Sequence, residues 1–140
     1  MKNSDRYVFD TNVIISAVLF PSSVPGRAFA EAVERGQILV SLPLLQELSA
    51  TLSRKKFDRY LTQEDRDRFL AALIREAVLI EVTETVQICR DPKDDKLLEL
   101  VISGSADCLI TGDNDLLVLH PFRGVSILTP AAFLSTLPVH

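Results

Sequence analysis

Tyr7-Val8-Phe9-Asp10-Thr11-Asn12 is the stretch on which the fold turns. Two aromatic residues around a β-branched one read as a short strand, and the polar triplet that halts it suits a strand end passing into a helix N-cap. Val13 to Phe20 is apolar almost all round and stops at Pro21, as a short buried helix does. Working outward, the same strand-then-helix cadence recurs. Ser22 to Gly26 reads as a loop and Arg27 to Arg35 as a helix closed by Gly36. Ile38-Leu39-Val40 is a second strand, and Ser41-Leu42-Pro43 opens a helix to about Leu52 along the stripe Leu44, Leu45, Leu48 and Leu52. Thr62-Gln63-Glu64-Asp65 resembles a capping box, predicting a helix with Phe69, Leu70, Leu73, Ile74 and Ala77 facing inward. Val78 to Val82 follows as strand three.

After the acidic loop Arg90 to Asp95, the residues Leu97, Leu98, Val101 and Ile102 mark a helix that ends by Gly104. Cys108-Leu109-Ile110 is strand four, running into Thr111-Gly112-Asp113-Asn114-Asp115 and a short helical Leu116 to Leu119. A turn at His120-Pro121, strand five at Val125 to Leu128 and a helix from Pro130 complete the order. Strands that are continuous apolar runs and alternate with helices predict an α/β fold: a three-layer α/β/α arrangement around a parallel sheet of about five strands.

The 140 residues fit one domain, and 47% hydrophobic with 24% charged residues is globular composition. No apolar run approaches the roughly 20 residues of a membrane span. Ser16 and Pro21 also spoil a secretory signal, so a cytoplasmic protein is expected. Cys89 and Cys108 lack CxxC spacing and the histidines are only His120 and His140, which leaves no zinc site and predicts two reduced thiols.

Charge is distributed unevenly. Fifteen Lys and Arg against 19 Asp and Glu give −4, which excludes a sequence-independent basic coat for nucleic acid. Between Asp91 and Asp115 seven acids face only Lys93 and Lys96, so this stretch carries −5 and the rest of the chain +1. The rest includes a basic knot at Arg54, Lys55, Lys56 and Arg59, interleaved with Phe57 and Tyr60 and suited to an RNA backbone with base stacking.

In open parallel sheets ligands bind beyond the carboxyl ends of the strands. Acids occupy those places: Asp10 after strand one, Glu47 a turn into the helix after strand two, Asp94 and Asp95 opening a helix, and Asp113 after strand four. Singly these are ordinary caps, turn residues or solvated positions. Together they repel, and a protein tolerates such a group where a cation neutralises it or some members stay protonated. All-oxygen donors suit Mg²⁺ or Mn²⁺, and hard-metal sites of this kind hydrolyse phosphodiesters.

Val8-Phe9-Asp10-Thr11-Asn12, Glu47, Asp95 at the head of a helix, and Leu109 to Leu116 together resemble the PIN-domain family along essentially the whole chain. Asp91 to Lys96 is similar to the branch of PIN toxin components of toxin-antitoxin systems. The resemblance implies an Mg²⁺- or Mn²⁺-dependent ribonuclease with an acidic quartet at Asp10, Glu47, Asp95 and Asp113. Asp115 would join them at the metal, with Asn12 and Thr111 as supporting polar groups. It also implies an RNA substrate, an antitoxin partner and a homodimer, the last through the helices at 27 to 35 and 62 to 77. Leu98-Glu99-Leu100 departs from the Ile-Ala-Ala that many toxin members carry.

Three rivals are weighed against this reading. A response-regulator receiver needs an Asp-Asp pair at strand one and a Lys after the last strand, and neither is present. A haloacid-dehalogenase-type phosphohydrolase needs a second carboxylate two residues after its nucleophile, where this chain has Asn12. A non-catalytic RNA- or partner-binding domain is separated from a nuclease by a metal-dependent cleavage assay.

Overall fold

The structure, a computed structural model, describes residues 5–138. Strand β1 (Arg6–Phe9) leads into α1 (Thr11–Leu19), which turns through 102° into α2 (Val24–Arg35). Then come β2 (Gln37–Val40), α3 (Leu42–Leu52), α4 (Gln63–Glu76) and β3 (Val78–Leu79). α5 (Asp95–Ser103), β4 (Cys108–Ile110), α6 (Asn114–Leu117), β5 (Ser126–Leu128) and α7 (Pro130–Ser135) follow. The five strands form one parallel sheet in the order β3-β2-β1-β4-β5. β1 lies at its centre, with Tyr7 opposite both Ile38 and Cys108.

Side chains alternate across a strand, and β1 shows what each face meets. Tyr7 and Phe9 point to one layer, where the Phe9 ring stands edge-on to Phe29 of α2 and Tyr7 edge-on to Phe133 of α7. Arg6 points to the other and donates to the Gly104 carbonyl that ends α5. Val8, Phe9, Leu39, Leu109 and Ile110 are all fully buried. The expected three-layer parallel architecture is what the chain adopts.

Most sequence boundaries hold to a residue or two, and the exceptions have local causes. α2 begins three residues before Arg27, because Ser23 Oγ accepts from the Gly26 amide and Pro25 stands in the first turn. Gly26 is there for space: a Cβ would come within 2.3 Å of the Pro21 carbonyl oxygen at the α1–α2 corner. α6 starts two residues before Leu116, capped by Asp113. The Thr62–Asp65 capping box is present in both directions, at 3.0 Å each. Within α4, however, Ile74 faces solvent, and buried Arg66 takes an inward place by donating to the Leu52 carbonyl and to Asp58.

The third strand is shorter than its apolar sequence suggests. β3 pairs only at Val78 and Leu79, and after Ile80 donates to Val40 the chain leaves the sheet. It is captured instead by one side of α5. Ser103 Oγ accepts from the amides of Thr83 and Glu84, Glu99 from Val86, and Asp95 from Ile88 and Cys89. Residues 95, 99 and 103 recur every four positions, so they form one ladder along the helix. The strap from 83 to 89 thereby delivers the loop Arg90 to Asp94 to the rim of the sheet. Both cysteines are free, Cys108 within the core and Cys89 half-buried in this strap.

Candidate active site

A cleft of about 260 Å³ opens at the carboxyl ends of β1 and β4, lined by Asp10, Asn12, Glu47, Asp94, Lys96 and Asp113 among others. β1 delivers Asp10 there and the start of α1 fixes it, since its carboxylate accepts from the Asn12 amide as an N-cap. Thr111, at 0% exposure, donates its hydroxyl to Asp10 Oδ2 at 2.7 Å and accepts from the Asp113 amide at 3.0 Å. One buried threonine therefore sets the relative position of two carboxylates from different strands. Burial pushes the Asp10 carboxyl upward, as do the charges of Asp113 and Glu47, while the Thr111 and Asn12 donors pull against them.

α3 supplies the opposite wall. Glu47 and Thr51 fall at i and i+4 on one face of that helix, Arg54 follows two residues beyond its end, and all three line the cleft. Glu47 is held at both oxygens, by the Thr11 hydroxyl at 2.8 Å and by Lys96 Nζ at 3.2 Å.

The third acid is a correction. The Asp95 carboxylate does not join Asp10, Glu47 and Asp113; it turns away onto the Ile88 and Cys89 amides of the strap. Burial is the largest single influence and raises its pKa, but the bonds from Cys89 and Ile88 together outweigh it and hold the carboxyl below the usual range. Asp94 is the residue that faces the cleft. A sequence signal for this existed: 94, 97, 98 and 101 share the inward face of α5 with its buried leucines, whereas 95 shares the outer stripe with Glu99.

Asp115 also stands apart from the cleft. Its amide donates to Asp113 Oδ1 at 2.9 Å, and its own carboxylate lies 4.0 Å from Arg90. Asn12 lines the cleft and is exposed. Of the basic knot only Arg54 reaches the lining; Lys55, Lys56 and Arg59 stand outside it, exposed. Lys93, Lys96, Thr11 and Thr51 are cleft residues that sequence reasoning missed.

Asp94 carries the strongest electrostatic signal. Burial, then the adjacent Asp113 carboxyl, then the charges of Asp10 and Asp91 push it up to about 7. Its Oδ2 is buried and finds no hydrogen-bond partner among the described residues. A proton shared with Asp113, an ordered water or a cation satisfies such an oxygen. The donor set fits a hard divalent ion, because among the described residues the cleft is lined by carboxylates and threonine hydroxyls and by no thiol or imidazole. Among the described residues no three or more His, Cys, Asp or Glu side chains enclose an ion. Mg²⁺ sites are commonly open in this way, with one or two carboxylates and several waters.

The raised pKa has a measurable sign. Between about pH 4 and about 7 the fold holds a proton on Asp94 that the unfolded chain releases, so metal-free stability falls as pH rises through this window. Asp10 acts in the same direction, whereas lowered Asp95 and Asp65 lose stability as pH falls. Asp94→Asn cannot ionise, so its melting temperature relative to the native chain is expected to climb between about pH 5 and about pH 8 in EDTA. A constant difference across that range would show that Asp94 titrates as an ordinary carboxyl.

A central parallel sheet with carboxylates from β1, α3, the α5 entrance and β4 gathered at its rim defines a class. The family profile described as PIN domain matches residues 6–115, and the chain belongs to that family. It is 32% identical over 117 residues to Uncharacterized protein MJ1680 of Methanocaldococcus jannaschii, covering 82% of this chain and 75% of that relative. Among solved structures it is similar to VapBC2 from Rickettsia felis, determined bound to a DNA fragment from its promoter. That likeness has a TM-score of 0.60 at 16% identity, over 87% of this chain and 96% of the other. PAE2754 from Pyrobaculum aerophilum gives 0.58 at 14%, over 94% and 88%. Both structural likenesses concern the fold.

Proposed function

We propose that this chain is a ribonuclease dependent on Mg²⁺ or Mn²⁺, acting as the toxin of a toxin-antitoxin pair. The observation that carries the reading is the buried, unpartnered Asp94 Oδ2 among Asp10, Asp113 and Glu47 at the strand ends. A hard divalent cation, when bound, supplies Lewis acidity toward a phosphoryl oxygen and makes water acidic enough to attack near neutral pH. Asp94 and the adjacent Asp113 are the residues that would hold it, with Asp10 beside them at the strand end. Thr111 keeps Asp10 and Asp113 in register, and Lys96 pairs with Glu47 on the cleft wall. Lys93 and Arg54 on the lining give a phosphate a positive approach to an otherwise acidic floor.

The VapBC2 likeness supports an antitoxin partner. Among the described residues no single helix is long and apolar enough to cross a membrane. A homodimer is favoured by α2 and α4. They flank an apolar hollow of about 210 Å³ lined by Phe29, Val33, Phe69 and Leu73, with Val33 well exposed.

Purified protein incubated with mixed RNA and Mn²⁺ is expected to cleave it, and EDTA to abolish cleavage. Intact RNA in both arms would overturn the nuclease reading. For the basic knot, changing Arg54, Lys55, Lys56 and Arg59 together to Ala is expected to weaken RNA binding. It should also flatten the salt dependence by about 0.7 in log–log slope for each phosphate no longer neutralised. An unchanged slope would make the knot a solvated helix end.

A further inference from the structure

Phe20 and Tyr60 are separated by 40 residues of sequence yet meet edge to face, ring centroids 5.7 Å apart. Each ring is 50% exposed, and neither is among the residues packed against the core. Phe57, the other aromatic of the basic knot, does pack against the core and so anchors the turn. Tyr60 is thereby left outward, with the Arg59 guanidinium 5.5 Å from its ring centre.

The pair also has a definite place relative to the acids. On the α3 side the cleft lining passes from Glu47 and Thr51 on the helix to Arg54, two residues beyond its end at Leu52, where the turn leading to Tyr60 begins. α1 supplies the distance: Asp10 caps its start and Phe20 its end, about 15 Å apart. Arg54 at the cleft and Arg59 at the Tyr60 ring thus bracket the turn between the carboxylates and the two half-exposed aromatics.

We propose that Phe20 and Tyr60 form a base-stacking subsite for single-stranded RNA threaded from the cleft along Arg54 and Arg59. The inference rests on the nuclease reading and names the form of its substrate. Charge complementarity selects the occupant, because a polyanion is matched by Arg54, Lys55, Lys56 and Arg59, and an aromatic face accepts any unpaired base. Duplex RNA keeps its bases stacked on one another and gains nothing from the pair.

The test is binding in EDTA, without cleavage, of a short single-stranded RNA and of the same sequence as a duplex. Phe20→Leu with Tyr60→Leu keeps apolar bulk and removes both ring faces. It is expected to lose about tenfold or more in single-strand affinity, with duplex affinity and the salt slope unchanged. Tyr60→Phe, which keeps the ring, is expected to bind as the native chain does, so a loss confined to the double variant reports the ring faces and not a displaced turn. Native-like single-strand binding by the double variant would overturn the subsite while leaving the nuclease reading intact. A parallel loss for duplex, or a flattened salt slope, would also overturn it, by showing that the pair merely clamps the basic turn to α1. Dissociation of a homodimer in place of weakened RNA binding would overturn it too, by assigning the pair to a protein interface. Absence of any RNA binding by the native chain would overturn the nuclease reading and the subsite together.

Discussion

Asp94→Asn is expected to lower RNA cleavage by about 10²–10⁴-fold, while Asp95→Asn changes it by less than about tenfold. The two residues are neighbours in sequence, and the contrast follows from where their carboxylates go. Asp94 lines the cleft, its orphan oxygen beside Asp113. Asn at that position keeps the shape and removes the charge that would attract a cation. Asp95 accepts from two strap amides, and an Asn oxygen accepts from them as well. The Asp95 variant is therefore expected to fold with a modestly looser strap and to retain the hydrolytic group. Cleavage time courses at saturating Mn²⁺ read the difference directly. Equal activity of the two variants, or a larger loss in Asp95→Asn, would reverse the assignment.

The second large effect is on stability. Phe9→Ala is expected to cost about 3–5 kcal/mol and to lower the melting temperature by roughly 10–20 °C. Phe9 is fully buried in the central strand, its ring edge-on to Phe29 at 5.1 Å and to Phe133 at 6.5 Å, so truncation leaves a void between three elements. It directly precedes Asp10, and the Asp10 amide still donates to the Ile110 carbonyl in the β1–β4 ladder. Thermal or denaturant unfolding measures the loss; a cost below about 1 kcal/mol would show that the α2–α7 layer collapses into the space.

What is legible in the sequence is local. Strand β1 with its Asp10 cap, the Ser41 and Thr62 caps and the apolar β4 run each depend on a few adjacent residues, and each stands where those residues place it. The acids at the rim are also legible, because a parallel sheet fixes which end of every strand faces the ligand. Taking Asp95 into the quartet from the family resemblance overlooks the inward face of α5, which position 94 shares with Leu97, Leu98 and Val101. One residue on a helix is a rotation of about 100°, enough to turn a carboxylate from the cleft to the strap. Ile80 to Val82 looks like strand but, among the described residues, pairs with the sheet only through the bond to Val40, because Asp95, Glu99 and Ser103 elsewhere in the chain draw the following segment onto α5. The Phe20–Tyr60 pairing depends on where α1 ends relative to the turn after α3, which no local pattern encodes.

Whether Asp10, Asp94 and Asp113 together form a hard-cation site is decided most directly by calorimetric titration of Mn²⁺ into the metal-free native chain, Asp94→Asn and Asp95→Asn, with no RNA present. The native chain and Asp95→Asn are expected to bind with similar affinity, and Asp94→Asn to lose about tenfold or more. Mn²⁺ binding by Asp94→Asn at native affinity, or no binding by the native chain, would contradict the account.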